Sequence, residues 1–254
     1  MYSFLHEIFS DKKVGLIFEC FSPWHIAYII LIFSVAAFVL YYYRKKNDDE
    51  KCRITKLFAD ISFGMMIADF FFMPLAYGEI DIEKLPFHAC TAMCVMSFLS
   101  YRVKFLAKYK VNFALLGFIS NFVYLVYPAG VMWHQTHPIS YRVIQTLLFH
   151  GLMSIVGLLV MVYEAEKTNF KKCYRDLTVI VCMTLWALLG NYVYNGNYGD
   201  KTHFFNWFFV VSDPFYMIPE NIAPFLMPAL NITIFFAVEM VIYLVIWKAK
   251  RTEK

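Results

Sequence analysis

The sequence predicts an all-α polytopic membrane protein, and three observations carry that prediction. Hydrophobic residues fill 60% of the 254 positions and charged residues only 17%, below the roughly 25% of soluble domains. The apolar excess is gathered into seven blocks long enough to cross a bilayer. Basic residues collect in every second segment between those blocks. Together they predict a single seven-helix integral membrane domain over residues 1–254, with seven transmembrane helices, the N-terminus outside and the C-terminus cytoplasmic.

A membrane helix needs about 20 mostly apolar residues, because each advances about 1.5 Å through a hydrocarbon layer of about 30 Å. The blocks run over 24–43, 57–77, 85–101, 111–133, 139–163, 177–194 and 225–247. The third is the shortest and most polar, and hydropathy alone leaves it in doubt. Loop charge resolves it. Arg44, Lys45, Lys46, Lys51, Arg53 and Lys56 follow the first block, and Arg102, Lys104, Lys108 and Lys110 the third. Lys167, Lys171, Lys172 and Arg175 follow the fifth, and Lys248, Lys250, Arg251 and Lys254 the seventh. Those segments hold 18 of the 23 basic residues, leaving Lys12, Lys13, Lys84, Arg142 and Lys201 for the alternate ones. Basic residues stay on the cytoplasmic side, so the alternation requires an odd number of spans. Removing the third block would scramble it. Tyrosine and tryptophan at block ends (Trp24, Tyr77, Tyr101, Trp133, Tyr163, Trp247) fit interfacial anchoring.

The six cysteines are spread without a CxxC pair, which is no disulfide framework, and Cys52 and Cys173 fall in segments where thiols stay reduced. Residues 41–46 (YYYRKK) end the first block like a stop-transfer signal rather than a cleavage site. The aromatic, proline-containing stretch 195–224 reads as interfacial or re-entrant. No nucleotide-binding motif is present, no cofactor is called for, and no nucleic-acid partner is expected. Membrane lipids are the expected partners. The short basic loops fit a bacterial plasma membrane.

Ionisable side chains inside a span are costly, so each is a functional candidate. They are Asp60, Asp69, His88, His150 and Glu239, with Asn121 and Asn191 as neutral companions. Asp60, three residues from its block's start, reads as a solvated interface charge, and His134 and His137 as interfacial. Asn121 and Asn191 suit interhelical hydrogen bonding. Glu239 either lines a pathway or holds helices together. His150 lies about 11 residues into its block, roughly 16 Å from the external face. Asp69 and Asn191 reach similar depth, which suggests one polar cavity opening outward.

The sharpest constellation is 85–90 (LPFHAC), followed by Phe149-His150-Gly151. Proline suits a helix's first turn, which would place Cys90 near free backbone N–H groups and the positive helix end, where thiolate is favoured. A histidine from a neighbouring span would take the thiol proton and return it to a leaving group. Gly151, Ser154 and Gly157 would let a neighbouring helix come close. Two other readings stay open: Cys90 as a small apolar filler, and a metal site of His88, Cys90 and Cys94. The latter spacing is a poor chelate, because His88 falls on the far side of the helix turn, and no metal is expected.

The LPFHAC run resembles the LPxHxC signature of YwaF-like integral membrane proteins. His150-Gly151, about 60 residues downstream, matches their later histidine, and Gly190-Asn191-Tyr192 their Asn-Tyr pair. The seven-span layout agrees over nearly the full chain, although 196–213 departs from the pattern. The resemblance implies a link to eukaryotic seven-span cysteine-dependent lipid acyltransferases, with Cys90 as acyl-accepting nucleophile and His150 as its base. A more distant set of lipid hydrolases uses threonine and histidine, which keeps Thr91 in view. The expected function is thus a membrane-embedded lipid acyltransferase or acyl hydrolase passing through a thioester. His88, Asp69, Asn191 and Glu239 would bind substrate or orient His150. The alternative is a non-enzymatic small-solute binding protein or transporter in which Asp69, His150 and Glu239 line a path.

Overall fold

The computed structural model describes residues 16–78, 82–132, 136–164, 170–197, 205–214 and 217–252. The expected interfacial residues Trp133 and His134, and the basic residues Lys12, Lys13, Lys167, Lys201 and Lys254, lie outside that set. Among the described residues the chain is all-helical, with no strand. The principal helices are α1 (Pro23–Tyr43), α2 (Asp48–Tyr77), α3 (Ala89–Ser100), α4 (Lys110–Val126), α5 (Tyr141–Tyr163), α6 (Tyr174–Asn197) and α7 (Ala223–Thr252). Five of them, α1, α2, α5, α6 and α7, are long and apolar enough to cross a membrane. The shorter α3 and α4 are apolar but have only 12 and 17 residues.

Local chemistry sets the helix starts. Ser22 caps α1 by accepting from His25 N–H, with Pro23 in the first turn where its missing donor costs nothing. Asn47 and Glu50 form a reciprocal capping box on α2, whose first turn also carries Asp48 and Asp49 against the helix dipole. That polar turn begins α2 nine residues ahead of its apolar block. Ser140 caps α5. Gly78 ends α2 at φ 81°, a conformation glycine adopts without steric cost.

Two boundaries depart from expectation. The third block becomes helical only at Ala89, with His88 as its extended N-cap residue. Phe87 N–H bonds back to Leu85 O at 2.7 Å, and Trp186 Nε1 donates to Pro86 O at 2.7 Å, holding 85–88 as turns. Pro86 thus precedes the helix instead of sitting in its first turn. The fourth block breaks after Val126, ahead of Pro128, and resumes as a four-residue helix at Ala129–Met132.

The bundle is built around α5. Seventy-eight per cent of its apolar window is buried, against 17% for α1 and α7. It packs on α4, α2 and α1, while α7 lies against α6 and α4. The outer helices expose large apolar side chains such as Ile30, Phe38, Phe225 and Val245, as a lipid-facing surface requires. Small residues bring the inner helices together. A Cβ on Gly157 would lie 2.5 Å from Phe118 Cβ and 2.8 Å from Ala114 O. One on Gly151 would lie 2.5 Å from Ile32. One buried histidine escaped the sequence reading. His25 accepts from Phe21 N–H at Nδ1, so its Nε2–H donates to Leu125 O at 2.8 Å, tying α1 to the end of α4.

Gly157→Ala should destabilise the protein by about 1–3 kcal/mol, because backbone on α4 must move. Gly64→Ala, where an added Cβ meets nothing within 4 Å, should leave stability within about 1 kcal/mol of the parent. Thermal unfolding of the detergent-solubilised variants tests the pair.

Candidate functional site at the start of the third helix

The polar groups converge where α3 begins. His88 is its N-cap residue but makes no side-chain capping bond; its Nδ1 instead accepts Phe208 N–H at 3.4 Å. The first-turn N–H groups of α3 therefore lack a side-chain cap. A developing oxyanion is stabilised by such donors. Thr91 is differently occupied: its hydroxyl donates back to His88 O at 3.1 Å and Leu85 O at 3.4 Å. Cys90 is partly buried and packs against Met66, Cys94, Phe149 and Met153, which puts it in the same apolar cluster as the residue preceding His150.

His150 is buried and held on two sides. Its Nδ1 lies 2.7 Å from Asn121 Oδ1, and Tyr124 stacks on its ring with centroids 4.1 Å apart. Asn121 is fully buried, and its Nδ2 donates to Gly117 O at 2.7 Å. That bond turns the amide oxygen toward the histidine, so Nδ1 must be the protonated nitrogen and Nε2 the free acceptor. The imidazole is thus set in the tautomer a general base needs. Sequence reading had named Asn121 only as an interhelical companion.

Lys84 completes the group, and sequence reading missed it. Its Nζ pairs with Asp69 Oδ2 at 3.4 Å, and Tyr141 OH donates to Asp69 Oδ1 at 2.8 Å. Asp69 is 2% exposed, so the ammonium and the phenol together neutralise and satisfy a buried carboxylate. Lys84 ends the short helical turn Ile82–Lys84 that leads into α3, four residues before His88. One signal was available: Lys84 is an exception to the basic-loop alternation.

Asn191 joins this locus indirectly. Its amide grips the backbone of Trp207, donating to the carbonyl at 3.0 Å and accepting from the N–H at 2.9 Å. Asn195 holds Phe205 in the same two-sided way. Asn231 of α7 donates to the carbonyls of Phe208 and Phe209 at 2.6 and 3.0 Å, pinning two bulky residues at positive φ (58° and 52°). The segment 205–213 is thereby laid over the α3 start, where Phe208 meets His88. Phe87 stacks between Trp186 and Trp207, with centroids 5.0 and 4.9 Å away. It rests on Gly190, whose added Cβ would lie 2.5 Å from the ring. Gly190 makes room for Phe87, and Asn191 fixes what lies above it.

Glu239 is not brought into this group. It is 1% exposed on α7, one turn before Tyr243, whose hydroxyl bonds Asp176. Asp60 pairs with Arg102 at 2.8 Å, both partly exposed, near the start of its apolar block. All six cysteines are free thiols. Among the described residues no three His, Cys, Asp or Glu side chains group to hold a metal.

Asn191→Leu should cost several kcal/mol, since two buried backbone groups of Trp207 lose their partners at about 1–3 kcal/mol each. Lower thermal stability, with faster proteolysis within 205–213, is the expected result.

Comparison with known proteins agrees with the helical, apolar character of the chain. No curated protein matches it, and no solved structure does. One family model does match, that of the TMEM164 family, over residues 20–250. A match over nearly the whole bundle, including every residue of the site above, shows an integral membrane protein that belongs to the TMEM164 family.

Proposed function

We propose that this protein is a membrane-embedded lipid acyltransferase or acyl hydrolase in which Cys90 is the nucleophile and His150 its base. The observation that carries the reading is the His150–Asn121 bond, which leaves His150 Nε2 unprotonated beside the cluster that holds Cys90. The LPFHAC run and its resemblance to YwaF-like proteins support the same roles. In the reaction, Nε2 takes the Cys90 proton as Sγ attacks the carbonyl carbon of a phospholipid ester. The oxyanion forms against the first-turn N–H groups of α3. Collapse breaks the C–O bond, and the imidazolium returns the proton to the departing alkoxide, giving a thioester and a lysolipid. Water or a second lipid hydroxyl then attacks the thioester, losing its proton to His150, and the thiol is regenerated. Asn121 and Tyr124 position the imidazole. Lys84, restrained by Asp69, offers a cation to the lipid's polar group, and His88 presents its Nε2–H.

The same reading includes seven crossings, with the N-terminus outside. The 12 residues of α3 rise about 18 Å, short of the roughly 30 Å hydrocarbon layer. Its start, with Cys90, then lies within the layer, where an ester linkage below the headgroup would reach it. A transport path through Asp69, His150 and Glu239 is less favoured, because Glu239 sits with Asp176 and not with Lys84.

Intact-protein mass spectrometry after incubation with mixed phospholipids should show a hydroxylamine-sensitive acyl adduct on wild type and none on Cys90→Ala. Absence of the adduct from wild type under thioester-trapping conditions would overturn the proposal. His150→Ala should slow adduct formation by about 100-fold or more, and Asn121→Ala by a smaller factor without changing the adduct's mass. For the topology, Cys52, exposed at the start of α2, should react with an impermeant maleimide only after the cells are permeabilised.

A further inference from the structure

Glu239 and Asp176 form a second polar centre that the proposed chemistry does not use. Asp176, in the first turn of α6, is fully buried. Asn112 Nδ2 of α4 donates to its Oδ1 at 2.5 Å, and Tyr243 OH of α7 to its Oδ2 at 2.9 Å. Two donors, one on each oxygen, are the surroundings of an ionised carboxylate. Glu239 lies one turn before Tyr243 on α7, hence on the same helix face, and is 1% exposed. Neither of its carboxyl oxygens has a hydrogen-bond partner among the described residues. No Lys, Arg or His among the described residues pairs with either acid. Lys110 pairs instead with Glu164, and Arg102 with Asp60.

Two neighbouring acids buried without a counter-charge are far too costly to persist as they stand. A proton on Glu239 would remove one charge, yet the remaining lone pairs of its carboxyl oxygens would still meet no donor among the described residues. A cation meets both requirements. It offsets the charge of the pair and takes up the open lone pairs of Glu239, along with those Asp176 has left. We propose that Asp176 and Glu239 bind a hard metal cation between α6 and α7, through oxygen ligands alone. Sulfur and imidazole are missing from the pair, which excludes the softer transition metals and points to Na⁺, Mg²⁺ or Ca²⁺. Asn112 and Tyr243 act as positioning residues that hold Asp176 in place, and the bound ion links three helices.

The test is thermal unfolding of the purified protein in detergent, in NaCl, MgCl₂ or CaCl₂ against choline chloride at equal ionic strength. Wild type should gain at least about 3 °C from one of the metal salts over choline, because a ligand that binds only the folded state stabilises it. The salt that acts identifies the ion. Glu239→Gln, which keeps the shape and removes the charge, should lose that gain while unfolding in choline no lower than wild type does. Cys90→Ala should keep the gain in full, which separates this site from the proposed catalytic one. Equal unfolding temperatures for wild type in all four salts would overturn the proposal, as would an undiminished gain in Glu239→Gln. An infrared band of a protonated carboxylic acid, present in wild type in every salt and lost in Glu239→Gln, would also overturn it and assign a proton instead.

Discussion

The close approach of α4 to α5 at Gly157 is the contact on which the rest of the arrangement depends. There a side chain as small as methyl would run into the α4 backbone at Ala114. In hydrocarbon no hydrophobic force drives helices together, so association relies on packing and interhelical hydrogen bonds. Glycine lets the two axes approach, and that approach allows Asn121 on α4 to reach His150 on α5. One face of α5 thus sets both the spacing of the bundle and the chemical state of its central histidine. The stacking of Tyr124 on His150 belongs to the same interface.

A second constraint shapes the region above α3. Non-helical backbone at membrane depth survives only where its polar groups are satisfied within the protein. The segment 205–213 meets that condition through asparagine side chains. Asn191, Asn195 and Asn231 come from α6 and α7, and Asn206, within the segment, bonds Val211 and Ser212. Each amide supplies a donor and an acceptor and so can replace a backbone partner outright. The aromatic stack of Phe87, Trp207 and Phe205 fills the space beneath. Asn191 therefore supports the site by holding its cover.

Charge is divided between the two ends of the bundle. Around Cys90 and His150, buried Asp69 is matched by Lys84 and Tyr141. Around Asp176 and Glu239 both donors, Asn112 and Tyr243, serve Asp176, and Glu239 has none among the described residues. A matched cluster contributes rigidity and a local field, whereas an unmatched one calls for something from outside the chain. That contrast separates two groups of intramembrane residues that hydropathy alone treats as one.

Much of this was legible in the sequence. Block length gave the helices and their order, because apolar length is a property of each segment by itself. The value of small residues around His150 was also readable, since a missing side chain needs no partner to be noticed. The assignment of partners was not. Asn121 and His150 are 29 positions apart, Asn191 and Trp207 are 16 apart, and Lys84 pairs with Asp69 from a separate element. Glu239 looked equivalent to Asp69 in a linear list, and only the packing of α7 on α6 assigned it to Asp176. Hydrophobic pattern is one-dimensional and survives in the sequence. Which polar groups meet depends on the rotation and spacing of packed helices, and tertiary structure alone decides that.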